Sequence, residues 1–396
     1  MNTETLPENW NEDIYEDVKA KPEELEALVV SSRDWTVETI LSQIEQGNIN
    51  LDPAFQRRNA WDDKKRSRLV ESLITGLPVP EIVLAENQDK KRSFIVIDGK
   101  QRLLTVAGFI KPKTYGYWDK PILRGLTVRK DLNNINFSDL SENHPDEFRF
   151  FMNSSIRCTV ISNFRSTDVL YDIFYRINTG SVSLSTQELR QVLNRGPFAE
   201  YLIQITNTLQ PIHDVMGLDE PDRRLRDAEM ILRFMSIELF GKAYRNNLRK
   251  FLDESMGKVN DNWEQFDNVV KKVYTDFNTS IGLLAEVLGS SKSVGRRYAD
   301  GQFEPKFNKV LFEAEVYYFM KLAQIRGKIT EDEKKEFIAG FQKLCQDSEF
   351  RSSIEFGTKD NIRYNLRFRK LKGVVNSAFR VKITEVPVPA QVSSKK

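Results

Sequence analysis

The chain of 396 residues has very few of the side chains that form most thiol, zinc and nuclease sites, because it contains only two cysteines and two histidines. Cys158 and Cys345 lie far apart, and neither belongs to a CxxC pair. This argues against a disulfide framework or a structural zinc and suits a reducing compartment. His144 precedes a proline, as a turn residue does, and His213 with Asp214 is a weak metal-site candidate. No catalytic set with Ser/His/Asp or Cys/His is visible.

Long apolar runs are absent as well. No segment approaches the roughly 18 apolar residues that a membrane span requires. The N-terminus, MNTETLPENW, has neither the basic nor the apolar region of a signal peptide. We therefore expect a soluble, cytoplasmic protein without a membrane partner. The sequence also contains no Walker A motif and no HExxH motif, which removes two common nucleotide and metal signatures.

Charge is balanced over the whole chain but unevenly distributed. Lys and Arg number 59 against 57 Asp and Glu, whereas residues 1–30 alone carry nine acidic side chains and two lysines. An acidic leader of this kind is a solvated tail, or it covers a basic surface elsewhere on the protein.

Hydrophobic periodicity changes character along the chain. Up to about residue 195, short apolar runs typical of strands (81–86, 93–98 and 156–161) alternate with helical patterns, and 111–155 resembles an irregular insertion. Beyond that point helical patterns dominate, and capping boxes at Ser185/Glu188 and Thr330/Glu333 mark two helix starts. The pattern predicts an α+β fold class for the first part. We predict an acidic leader at 1–35, an α+β domain at 36–195, a mostly α-helical domain at 196–383 and a disordered tail at 384–396.

Five consecutive polar or glycine residues stand where a buried strand passes into a helix: Asp98-Gly99-Lys100-Gln101-Arg102. Glycine permits close approach of a ligand, and the free N–H groups of a helix N-terminus favour an anion such as phosphate. Lys100 and Arg102 add positive charge, and Arg102 can bind phosphate through a bidentate fork. Asp98 could hold Mg²⁺, orient a water or cap the helix. The alternative is an ordinary Asp-Gly turn in which Asp98 only caps while Lys100 and Arg102 face water.

A second polar cluster, Gln56-Arg57-Arg58, lies between Phe55 and Trp61 just before a predicted helix. It is a further candidate for binding an anion or a base. It could equally be a solvated loop anchored by one buried tryptophan.

Four stretches in this order carry a family resemblance: PAFQRRNAW, LVESLITGLPVPEIVL, FIVIDGKQRLLTV and IFYRINTGSVSLSTQELR. They resemble the N-terminal domain of the GmrSD-type restriction endonucleases, whose fold is similar to that of ParB and sulfiredoxin. The family signature DGQQR reads DGKQR here, and its Gly-x-x-Arg also resembles the phosphate-binding motif of ParB-type CTP-binding domains. The resemblance covers about 36–195 and extends weakly to 223–235.

The resemblance implies a nucleoside triphosphate and Mg²⁺ as cofactors, binding or hydrolysis of that nucleotide, and a DNA-targeting defence system against phage. Asp98 becomes the catalytic candidate and a possible Mg²⁺ ligand. Asn178 in RINTG could instead be an N-cap or turn residue. Lys100 replaces the usual glutamine, so phosphate binding should survive or tighten, while a role of that amide in orienting a water loses its support. The residues implied for nucleotide binding are Gln56, Arg57, Gly99, Lys100, Gln101, Arg102 and Asn178.

The sequence lacks the C-terminal HNH-like nuclease domain that full members of this family carry, so it does not support autonomous nuclease activity. A basic segment near the C-terminus offers a DNA-binding candidate, because cations there alternate with aromatic residues. The alternative is an amphipathic helix with a solvated basic face. The DNA-binding candidates are Arg363, Arg367, Arg369, Lys370 and Lys372.

Two functions follow from these patterns. One is a nucleotide-binding and nucleotide-hydrolysing protein of a restriction-type system, a possible NTPase. The other is a non-catalytic DNA-binding specificity or regulatory subunit that acts with a separate nuclease. A purely structural role is disfavoured by the polar cluster at the strand–helix turn.

Overall fold

A computed structural model of the chain describes residues 20–51, 61–88, 90–116, 118–177 and 185–390. These residues divide into two compact units, one ending at Leu193 and the other beginning at Asn194. The first contains a four-stranded sheet with helices and the second is almost entirely helical, which is the α+β organisation that the sequence predicts. Within the described residues, no helix is both long enough and apolar enough to cross a membrane.

The first unit is built on a mixed sheet with strand order β1-β4-β2-β3. β4 pairs antiparallel with β1 and parallel with β2, and β2 pairs antiparallel with β3. The elements are α1 (Pro22–Glu26), β1 (Val29–Thr36), α2 (Val37–Glu45), α3 (Asp63–Thr75), β2 (Ile82–Glu86), β3 (Phe94–Asp98), α4 (Lys100–Ile110), a 3₁₀ turn (Lys130–Leu132), α5 (Phe137–Asn143), α6 (Pro145–Asn153), β4 (Ser155–Ser162), α7 (Thr167–Ile177) and α8 (Thr186–Leu193).

The core of this unit combines one face of the sheet with α2, α3 and α4. In β4 the alternation of buried Ile156, Cys158 and Val160 with more exposed neighbours turns one face inward. Burial raises the pKa of the Cys158 thiol to about 12, so it stays protonated and inert at neutral pH. Local sequence signals set the bounds of α3: the Asp62 side chain accepts a hydrogen bond from the Lys65 N–H, and Gly76 ends the helix in a left-handed conformation.

Two predictions for this part of the chain are wrong in detail. The leader predicted at 1–35 contributes most of β1, which is an edge strand. Val29 and Val30 are both about half exposed, so β1 lacks the alternation of apolar and polar residues from which a half-buried strand is predicted. The insertion predicted to be irregular contains α5 and α6. Their start signals were present in the sequence, as a capping box between Asn136 and Asp139 and a proline at the first position of α6.

The second unit is a bundle in which α13 packs along α14, and α17 packs against α14, α15 and α16. The Thr330/Glu333 capping box at the start of α15 is confirmed. The elements are α9 (Pro197–Thr206), α10 (Pro211–Met216), α11 (Arg226–Phe240), α12 (Leu248–Asp261), α13 (Trp263–Leu288), β5 (Tyr298–Ala299), β6 (Gln302–Phe303), α14 (Lys309–Ile325), α15 (Glu331–Gln346), α16 (Ser348–Glu355) and α17 (Asn361–Phe379), with 3₁₀ turns at Gly241–Ala243 and Ser291–Ser293.

The tail predicted to be disordered from residue 384 packs on this bundle as far as residue 390. Val388 is fully buried, and its carbonyl accepts a hydrogen bond of 2.7 Å from the Asn365 side-chain amide. The Tyr318 hydroxyl donates to the Glu385 carbonyl. A segment rich in proline and serine lacks regular secondary structure, but side-chain donors of the bundle satisfy its backbone. Residues 391–396 lie outside the described part of the chain.

Candidate functional site

The polar turn after β3 is positioned by an irregularity in the sheet. Val83 pairs with Asp98 but its neighbour Leu84 pairs with Val96, so β3 carries one extra residue at this point. Val96 and Ile97 are consequently both buried, and the alternation of the strand is reset just before Asp98. A bulge of this kind redirects the side chain that follows it, here the carboxylate at the end of the strand.

Gly99 is required between β3 and α4 for two reasons. Its φ of +92° lies in the left-handed region, and a Cβ atom there would sit 2.9 Å from Ile82 Cγ1 and 3.1 Å from Ile82 Cα. Gly99 is also the N-cap residue of α4, so its own side chain cannot cap the helix. The N–H groups of Gln101 and Arg102 donate no hydrogen bond to any described residue. The start of α4 therefore presents free donors of the kind that bind anions.

Asp98 and Arg102 form an ion pair across the first turn of α4. Arg102 Nη2 lies 2.6 Å from Asp98 Oδ2 and 2.7 Å from the Glu81 carbonyl oxygen. The Arg102 side chain is 6% exposed and that of Asp98 is 14% exposed, so the pair is largely removed from water. The arginine thus fixes the carboxylate and links the turn to the residue before β2.

This geometry excludes two of the sequence alternatives. Asp98 does not cap α4, since its carboxylate accepts from Arg102 instead. Lys100 and Arg102 do not face water, because both are buried. One nitrogen of the Arg102 guanidinium, Nη2, is bound within the fold and positions Asp98, and phosphate binding by Arg102 stays a prediction.

Lys100 points toward α8. Its Nζ lies 3.5 Å from Glu188 Oε1, and both side chains are buried. The predicted capping box holds Glu188 in place, with the Ser185 N–H donating to Glu188 Oε2 and the Glu188 N–H donating to Ser185 Oγ. The Gln101 Oε1 atom is also buried and accepts no hydrogen bond from the described residues.

Sequence reasoning missed that α8 contributes buried polar side chains near this turn. Arg190 is fully buried and donates to Gln187 Oε1 at 2.6 Å, and Thr186 bonds to the Tyr175 hydroxyl at 2.7 Å. The available signal was the strongly polar stretch STQELRQ inside one of the four family motifs. Three other candidates, Gln56, Arg57 and Asn178, lie outside the described residues.

The predicted DNA-binding segment near the C-terminus is not an open basic face. Arg367 is fully buried in α17 and donates to the Ser353 and Thr358 carbonyls, so the prediction that it contacts DNA is wrong. Lys370 lies 2.6 Å from Asp347 and 2.7 Å from Glu349.

The remaining cations of that segment are dispersed. Arg363 donates to the Phe356 carbonyl and Lys372 to the Thr384 carbonyl, while Arg369 is exposed. Periodicity alone misassigned Arg367 because it treats every arginine as a surface residue.

His213 is not a metal ligand. Its ring is buried, Nδ1 accepts from the Gln210 N–H, and Nε2 lies 2.8 Å from Asp227 Oδ2. Both ring nitrogens are thus used within the fold. In the RRLRDAE stretch that follows at residues 223–229, Arg226 pairs with Asp222. Among the described residues, no group of three or more His, Cys, Asp or Glu side chains is arranged to hold a metal ion.

Comparison with known proteins gives one family. No curated protein and no solved structure matches the chain. Residues 37–193 match the family model described as the GmrSD restriction endonuclease N-terminal domain, which spans the bulge, the DGKQR turn and α8. The resemblance that the four motifs indicated is confirmed. Over residues 37–193 the chain is therefore similar to the GmrSD restriction endonuclease N-terminal domain.

Proposed function

We propose that this protein binds and hydrolyses a nucleoside triphosphate as part of a restriction-type, DNA-targeting system, with the nucleotide phosphates at the DGKQR turn. The family match supports the restriction-type setting. Nucleotide binding is proposed from the start of α4. Free backbone N–H groups are present there together with a buried lysine, and they follow Gly99, a position that has no room for a side chain.

The residues present fit a phosphate. Free N–H groups at Gln101 and Arg102 combine with the positive end of the α4 dipole, and Lys100 adds a full charge nearby. Lys100 already faces Glu188 at 3.5 Å, a distance at which the ion pair can loosen to share the cation with a ligand. A lysine at this position strengthens anion binding relative to the glutamine of the family signature.

Asp98 is the residue that would place Mg²⁺ or the attacking water. Its Oδ2 is held by Arg102, while Oδ1 accepts no hydrogen bond from the described residues and stays available. Mg²⁺ in nucleotide sites needs only one or two carboxylates because substrate phosphates and waters complete its coordination. A bound ion would neutralise phosphate charge, and the role of this chain would be to hold the carboxylate still through the Arg102 pair.

The second candidate is a non-catalytic DNA-binding specificity or regulatory subunit that works with a separate nuclease. The Asp98–Arg102 pair favours it, because a carboxylate bound to a buried arginine can be purely structural. Under this alternative the protein binds DNA and does not hydrolyse nucleotide.

Calorimetric titration with CTP, GTP and ATP, with and without Mg²⁺, tests the proposal. We expect one nucleotide to bind, and Lys100→Gln, which restores the family signature, to weaken it about five- to tenfold, the difference between charge-assisted and neutral hydrogen bonds. Lys91→Gln, at an exposed position of the same unit, is the matched control and leaves affinity unchanged. Phosphate release separates the two candidates. A folded wild-type protein that binds none of the nucleotides contradicts the proposal.

A further inference from the structure

The insertion between α4 and β4 is fastened to α3 by hydrogen bonds to its backbone. The Arg124 N–H donates to Ser67 Oγ at 2.9 Å. The Glu71 carboxylate, which is buried, accepts from the N–H groups of residues 127–129 at 2.8 to 3.3 Å. Ser67 and Glu71 are one helical turn apart, so the loop runs along α3 and its side chains emerge beside those of the helix.

Exposed cations lie on α3 and on the loop beside it, and we call this set the α3 basic surface: Lys64, Lys65, Arg68 and Arg124. The stem of Lys64 lies against the loop, since its Cγ is 3.5 Å from where a Cβ of Gly125 would be. Lys64 and Arg68 are one turn apart on the same side of the helix. None of the four side chains pairs with a carboxylate among the described residues.

Neighbouring acidic groups in the described part of the chain form no ion pair with these four cations. Glu71 is buried and its oxygens are bound by three backbone N–H groups. Asp131 is paired with Arg129, which in turn also reaches Glu147. Asp62 accepts from the Lys65 N–H as the cap of α3, and Asp63 is half-buried at the first position of that helix. The four cations therefore exceed the two carboxylates at the start of α3, Asp62 and Asp63, and the surface keeps a net positive charge.

The two basic regions of the chain differ in this respect. In α17, Arg367 donates to backbone carbonyls and Lys370 pairs with two carboxylates. The cations of the α3 basic surface pair with no carboxylate of the described residues. A row of exposed cations that form no ion pair with a described residue suits a repeating phosphate chain.

We propose that the α3 basic surface binds the phosphodiester backbone of double-stranded DNA without reading its sequence. The choice of DNA as the polyanion rests on the proposed function, through the restriction-type family of the domain. The turn repeat of about 5.4 Å between Lys64 and Arg68 lets two long side chains reach neighbouring phosphates of one strand. These contacts position the protein on the duplex, and each released counterion makes the affinity salt-dependent.

The test is a salt titration of duplex DNA binding by fluorescence anisotropy, with the full chain. Lys64→Gln/Arg68→Gln removes two contacts and is expected to flatten the log–log salt slope by about 1.8 units, since each phosphate contact contributes about 0.9. Arg33→Gln/Lys91→Gln removes the same charge from exposed positions of the same unit and serves as the matched control. Glutamine keeps helix propensity, and circular dichroism verifies that both variants fold.

A slope that falls in the first variant and stays at the wild-type value in the control supports the surface. Equal slopes in wild type and Lys64→Gln/Arg68→Gln, or an equal fall in both variants, overturn it. Tighter binding of a double-stranded RNA of the same sequence overturns the choice of DNA. Nucleotide titration of the same variants separates the two proposals, because Lys64→Gln/Arg68→Gln leaves the DGKQR turn untouched. Loss of DNA binding with intact nucleotide affinity concerns this surface alone.

Discussion

Removing the arginine of the buried pair at the start of α4 gives the sharpest test of how the DGKQR turn is built. Arg102→Ala leaves a carboxylate that is 14% exposed and the Glu81 carbonyl without their donor. Breaking a buried pair by deleting one partner typically costs about 3–5 kcal/mol, and the residual exposure of Asp98 places the expected loss near the lower value. For a unit of this size, about 3 kcal/mol corresponds to a fall in Tm of roughly 6–12 °C.

A double-mutant cycle isolates the pair from the rest of the site. We expect Asp98→Ala and Arg102→Ala each to destabilise the first unit, and the double variant to be more stable than their sum predicts by about 2 kcal/mol. Unfolding in urea is followed by tryptophan fluorescence, because Trp35, Trp61 and Trp118 lie in this unit and only Trp263 is described in the other. Circular dichroism reports on both units and shows whether they unfold together.

The reasoning is refuted if Arg102→Ala costs less than about 1 kcal/mol and the two substitutions are additive within about 0.5 kcal/mol. In that case the arginine is not committed to Asp98. It would then be free to bind phosphate, as its place in the signature predicts, and its substitution would lower nucleotide affinity rather than stability.

Two further predictions follow from single positions. Gly99→Ala combines a left-handed φ with crowding by Ile82 and is expected to lower the free energy of unfolding by about 2–5 kcal/mol. Gly76→Ala is the control, because Gly76 has a left-handed φ but open space around it, and only the backbone strain of about 1–2 kcal/mol is expected there. Equal losses for the two variants in urea unfolding would contradict the crowding at Gly99. Burial raises the pKa of Glu315 from 4.5 to about 8. Between these pH values the folded state keeps a proton that the unfolded state has lost, so the free energy of unfolding falls as pH rises, by at most about 1.4 kcal/mol per pH unit. Glu315→Gln should remove this decline in urea titrations across that range, and an unchanged pH dependence would show that the proton is not held there.

Local signals in the sequence were sufficient where backbone chemistry decides the structure. α3 begins after Asp62, whose side chain is the N-cap acceptor, and ends before Gly76, which adopts a left-handed conformation. Both signals act within a few residues of the chain. The strand–glycine–helix turn at Gly99 was predictable for the same reason. The capping box of Ser185 and Glu188 also located the start of α8.

What the sequence could not supply is the identity of partners distant in the chain. The Glu81 carbonyl that receives Arg102 lies 21 positions earlier, and Glu188 lies 88 positions after Lys100 (188 − 100). Arg367 was predicted to face solvent because a basic residue in an amphipathic pattern is assigned to the surface. The carbonyls that accept its hydrogen bonds belong to α16 and to the turn before α17. The edge strand β1 escaped detection because pairing with β4, rather than a buried face, holds it in place.

That edge strand has a practical consequence for anyone isolating the domain. The family match begins at residue 37, one position after β1 ends. A fragment cut at that boundary would lose the strand that covers one side of β4, and with it Thr36, whose hydroxyl accepts from the Thr39 N–H to start α2. The exposed row of β4 amides and carbonyls would then invite pairing with other chains, so such a fragment should aggregate, and cutting ahead of residue 20 should keep it monodisperse.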